Sequence, residues 1–76
     1  MSPIRWTADR MDQLERAARD RLRVALVTRR GTEYVVVASR VAAAGRRDVL
    51  VGRLPMTGEE LELPLDEIEQ FQVIEP

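Results

Sequence analysis

Apolar and polar positions follow two different periods along this chain. From Met11 to Leu22 the apolar residues Met11, Leu14, Ala18 and Leu22 recur at helical spacing, with Ala17 beside them. That spacing predicts a helix over about residues 8–20. Thr7 is a suitable N-cap, because its hydroxyl can accept from an early helical N–H. With Thr7 as N-cap, Trp6 falls at N′ and Met11 at N4, the two positions of a hydrophobic staple. Asp9 and Asp12 stand in the first turns, where they complement the helix dipole. Asp12–Arg16 and Glu15–Arg19 are acid-first pairs four apart, each contributing about 0.3–0.5 kcal/mol. The apolar stripe is narrow and rich in Ala, so this helix needs a larger surface to pack against.

After Leu22 the period shortens to two. Leu22, Val24 and Leu26 alternate with Arg23, Ala25 and Val27. Arg30-Gly31 supplies a tight turn, with Gly31 able to take a positive φ. Thr32 to Val41 is the most strand-like segment and carries Tyr34, Val35, Val36 and Val37. Both of its faces are apolar, as in a strand shared by two walls of a small barrel. Ala42 to Arg47 is expected to be a connection, and Asp48 to Leu54 a third strand. Pro55-Met56-Thr57-Gly58 is a turn. Glu60, Leu61, Glu62 and Leu63 alternate as a strand with one wet face does. Pro64 breaks that strand, and Leu65-Asp66-Glu67-Ile68 fits a single 3₁₀ turn. Phe71 and Val73 alternate with Gln70 and Gln72 in a last strand. The layout is mainly β: an N-terminal α-helix, then a five-stranded Sm-like or SH3-like barrel over about residues 22–74. A 3₁₀ turn precedes the last strand, which is expected to pair beside the first.

Length keeps this to one domain, residues 1–76. The chain holds no Cys and no His, and its 12 basic residues are all Arg. Neither a disulfide nor a thiolate zinc site can form. Without His, Lys or Cys no side chain is poised to titrate near neutrality, and a Ser or Thr nucleophile lacks its usual base. The carboxylates lack the spacing of a calcium loop. The expectation is a protein that is not an enzyme and has no catalytic residue, metal or cofactor. Residues 1–7 have no apolar region of a signal peptide, and no window approaches a membrane span. A soluble cytoplasmic protein is the default.

Net charge is −1, yet it divides unevenly. Residues 1–53 carry all 12 Arg against 6 acids, whereas residues 54–76 carry 7 acids and no Arg. Arg29, Arg30, Arg46 and Arg47 are candidates for a basic rim. The planar fork of Arg suits phosphate, and Tyr34 is the candidate platform for a stacked base. The other reading of this all-Arg usage is compositional bias. Glu59, Glu60, Glu62, Asp66, Glu67 and Glu69 are candidates for an acidic surface that docks a basic protein; the other reading is solvation. Because the last strand is expected beside the first, Arg23 or Arg29 should stand across from Glu69 or Glu75. The charge that survives should form two opposed rims, basic and acidic.

The short helix carrying Asp12, Leu14, Glu15, Ala17 and Ala18 leads into Val24-Ala25-Leu26-Val27. A turn follows at Gly31, and Leu65-Asp66-Glu67-Ile68 with Phe71 closes the pattern. In these features, over roughly residues 9–74, the chain resembles the Rof family of Rho-binding antiterminators. The resemblance implies an Sm-like fold and a non-catalytic partner of the Rho termination factor, bound through an acidic surface. The Arg-rich stretch departs from that pattern, and the late Arg-Gly step of ring-forming Sm-like proteins is replaced by Leu65-Asp66-Glu67-Ile68. Three functions follow as expectations. The first is a binding module acting on transcription termination or RNA-processing machinery through a protein partner. The second is direct RNA or DNA binding through the Arg rim. The third is self-association, with acidic and basic faces meeting head to tail.

Overall fold

A computed structural model of the chain describes residues 6–45 and 47–74. The first element is helix α1, Ala8–Arg19. Thr7 caps it as expected: extended backbone (φ −84°, ψ 168°) lets its Oγ1 accept from the Arg10 N–H at 3.2 Å. Leu14, Ala17 and Ala18 form the buried face. The helix ends through a left-handed residue. Arg21 has φ 56°, the Leu22 N–H donates to Ala17 O at 2.8 Å, and the Arg21 N–H donates to Ala18 O at 3.3 Å. This is the bonding of a Schellman motif, with Arg at the position where Gly is usual.

Five strands follow: β1 (Arg23–Thr28), β2 (Glu33–Ala44), β3 (Arg47–Arg53), β4 (Glu60–Pro64) and β5 (Ile68–Ile74). A 3₁₀ turn, η1 (Leu65–Glu67), links β4 to β5. The strands form one antiparallel sheet in the order β4-β3-β2-β1-β5, so β5 does pair with β1. β2 is 12 residues long because it serves two partners. Its start, Glu33–Val37, pairs with β1, and its remainder pairs with β3. The register slips between Ala38 and Arg40, so Ser39 is the extra residue of a bulge that bends the strand. Gly52 stands opposite Ala38, and a Cβ there would meet Val36 Cγ2 at 3.0 Å and the Val37 carbonyl oxygen at 3.2 Å. Only a residue without a side chain lets β3 lie this close to the bend.

Ala42–Ala44 is not a connection. These residues extend β2, with Ala42 opposite Val49, Ala43 opposite Asp48 and Ala44 opposite Arg47. Ala has weak strand preference, but pairing with a neighbouring strand decides the outcome over local propensity. Gly45, just past the end of β2, takes φ 68°.

The bent sheet wraps a single core in the manner of a small barrel. Leu14 of α1 meets Val24, Leu26, Val36, Leu50 and Ile68 there, all essentially inaccessible to solvent. No polar or charged side chain is buried among the described residues. Trp6 is tied down at the helix entrance. Its Nε1–H donates to Leu65 O at 2.9 Å, and its ring stacks on Phe71 with centroids 5.4 Å apart and planes 7° apart. The Arg10 guanidinium lies 5.9 Å from the same Phe71 ring. Trp6 and Met11 both pack against the core, as a staple requires.

Candidate functional site

The turn between β1 and β2 is built from Thr28-Arg29-Arg30-Gly31-Thr32. The Gly31 N–H donates to Thr28 O and the Thr28 N–H donates to Thr32 O, both at 2.9 Å. Gly31 takes φ 83°, so the loop is a turn closed by a left-handed residue, the usual form of a short hairpin connection. A third main-chain bond decides where this hairpin points. The Arg29 N–H donates to Glu67 O at 2.9 Å, which stitches the turn to η1.

That stitch opens a cleft of about 520 Å³ between the β1–β2 turn, the start of β3 and η1. Arg29, Arg30, Tyr34, Arg47, Asp66 and Glu67 all face it. Thr28 and Thr32 add hydroxyl-bearing side chains at its wall. Arg47 reaches across to η1, with Nη2 2.6 Å from Asp66 Oδ1 and 3.9 Å from Glu67 Oε2. About half of each of these side chains remains open to solvent. The Arg47 hydrogen bond holds the Asp66 carboxyl below the usual carboxylate range. Partial desolvation opposes that shift, and the positive charges of Arg47 and Arg29 add to it. The same pair raises Arg47 above its ordinary value, chiefly through the hydrogen bond to Asp66.

This corrects the expectation of opposed rims. Arg29, Arg30 and Arg47 share one cleft with Asp66 and Glu67. Arg46 lies outside the described residues, as does Glu75. Arg23 stands opposite Ile74 rather than an acid, and Arg29 lies against η1 rather than Glu69. Glu69 is half-buried in β5, at the slip where β5 changes register against β1. Glu59, Glu60 and Glu62 are exposed at and beside β4, and Glu60 faces Arg53 across the sheet. The six acidic candidates therefore divide between the cleft, a strand edge and the β5 slip.

Thr28, Thr32, Leu63, Pro64 and Ile68 also line the cleft and were missed in the sequence reading. The two Thr residues flank Arg29-Arg30-Gly31 symmetrically, and that signal was present. Leu63, Pro64 and Ile68 reach the site only through the non-local stitch. Among the described residues no three or more Asp or Glu side chains converge as a metal site would need. No helix among them is long and apolar enough to cross a membrane. The chain matches no protein-family model and has no significant match among curated proteins.

Proposed function

We propose that the protein is a non-catalytic binding module whose cleft takes a single-stranded nucleic-acid segment. The observation that carries this reading is the convergence of Arg29, Arg30, Arg47 and Tyr34, from three separate strands and turns, on one open cleft. Arg29 and Arg30 offer guanidinium forks to successive phosphates. Tyr34, half-buried on β2 and fixed opposite Leu26, presents a rigid ring on which a base can stack. Thr28 and Thr32 bring hydroxyls for sugar or phosphate oxygens. Such a module would act on RNA-processing or transcription-termination machinery, the setting that the Rof-like outline implies.

Fluorescence anisotropy with a labelled RNA oligonucleotide tests the reading. Binding should weaken as salt rises, with a log–log slope of about −2 if three phosphates are contacted. R29A/R30A/R47A should abolish it. Binding that survives in that variant places the nucleic acid elsewhere.

A protein partner docked on acid groups is the second reading. It is favoured by Glu59, Glu60 and Glu62, which stand exposed together along a sheet edge away from the cleft. It draws less support from Asp66 and Glu67, whose charge Arg47 already engages. E59Q/E60Q/E62Q should lose a basic partner peptide while keeping any RNA affinity.

A further inference from the structure

The outer face of the sheet, on the side away from the core, carries a second pattern. Three rows cross β5, β1 and β2 there: Ile74–Arg23–Val37, Gln72–Ala25–Val35 and Gln70–Val27–Glu33. The apolar side chains of this face are Ala25, Val27, Val35, Val37 and Ile74, with Gln70 and Gln72 beside them along β5. Val35 is 43% exposed and Ile74 42% exposed, while Ala25, Val27 and Val37 are partly open beside them. A shallow depression of about 380 Å³ on this face is lined by Ala25, Val27 and Val35 together with Gln70 and Gln72. The face is also polar in the electrical sense. Arg23 marks one end and Glu33 the other, and neither has an ion-pair partner among the described residues.

We infer that this face binds a second copy of the chain in a two-fold, sheet-on-sheet dimer. A two-fold axis crossing the strands at the Ala25–Val35 row lays the Arg23 end of one copy over the Glu33 end of the other. Each Arg23 then lies over the row that holds the partner's Glu33, one strand spacing, ~4.8 Å, to the side of Glu33 itself and within reach of its long side chain. The same operation makes both ends favourable at once, which is the condition for a closed, isologous contact. Val35, on the axis, meets the partner's Val35, and Ala25 beside it meets the partner's Ala25, a small residue that lets the two faces approach. This contact is face to face, unlike the head-to-tail one that the charge split along the chain suggests. Three rows of three strands cover less than the roughly 800 Å² per partner of a standard interface, so the dimer is weak. Its two clefts lie at opposite ends, since the β1–β2 turn of each copy projects beyond the Glu33 row.

Sedimentation velocity from micromolar to near-millimolar protein tests the dimer. The wild-type chain should pass from monomer to dimer across that range. V35E should stay monomeric while melting as the wild type does. R23E and E33R should each weaken association by about tenfold or more, and R23E/E33R should restore it. If V35E does not fold, the charge exchange decides alone. A wild type that stays monomeric throughout overturns the proposal, as does a dimer indifferent to V35E. A double variant no tighter than either single variant overturns it too. None of these outcomes depends on whether the cleft binds RNA.

Discussion

Leu65 and Asp66 are neighbours in the chain and belong to regions held in different ways. Leu65 is buried, and its carbonyl oxygen accepts the Trp6 indole N–H beneath the start of α1. Asp66, one residue on, is exposed and reaches Arg47 through a charged contact open to water. Burial on the first side excludes solvent, so losing a group there removes packing that nothing replaces. On the second side water and ions compete at all times, so the ion pair adds little to stability and can exchange for a ligand. η1 is thus a hinge between a fixing face and an exchanging face, which is how a small fold can keep a polar cleft in shape.

The largest effect should come from breaking the fixing face. Trp6→Ala removes the stack on Phe71 and the bond to Leu65, and should cost about 2–3 kcal/mol in chemical denaturation. An unchanged denaturation midpoint would abolish the distinction between the two sides. Gly52→Ala should cost about 1–3 kcal/mol by the same measurement, because the added Cβ meets Val36 and the Val37 carbonyl at the strand bend. Arg21→Gly should act in the opposite direction. It relieves a left-handed residue at the helix end and should raise stability by about 0.5–1 kcal/mol.

The exchanging face should scarcely register in such experiments. Arg47→Ala should leave the melting temperature unchanged within error. Its mark should instead be on the titration of Asp66. In the wild type the folded pKa of Asp66 is depressed, so the bridge is fully present above the ordinary carboxylate value and is lost as pH falls through the lower folded value. An NMR titration of the Asp66 carboxyl should give a midpoint below the normal range, moving upward in Arg47→Ala. Identical midpoints in the two proteins would show that Arg47 does not set it.

The capped entrance of α1 was legible in the sequence, whereas the Trp6 bond to Leu65 and stack on Phe71 were not, and the exchanging face was legible only in its parts. Thr7, Trp6 and Met11 signal the capped entrance of α1 because all three act within two turns. Leu65-Asp66-Glu67 reads as a 3₁₀ turn because Pro64 stops a strand and Phe71 resumes one. The cleft escaped notice because its assembly depends on a main-chain bond from Arg29 to Glu67, 38 positions apart, which no local pattern encodes. Arg29-Arg30 and Asp66-Glu67 read as parts of two opposed rims and are walls of one site. Ala42–Ala44 and Arg21 show the same limit at smaller scale. Pairing with β3 made strand out of residues with little strand preference, and closure of the helix placed an Arg where glycine would be expected.

The bond between Arg29 and Glu67 joins backbone to backbone, so it specifies no side chain at either position. The frame of the cleft is therefore indifferent to the identity of the residues that give it its chemistry. Substitution at residues 29 and 30 can retune ligand preference while the walls stay where they are. In evolutionary terms the hairpin and η1 form a socket whose contents are free to vary, and new specificities are open to this small domain without any change of fold.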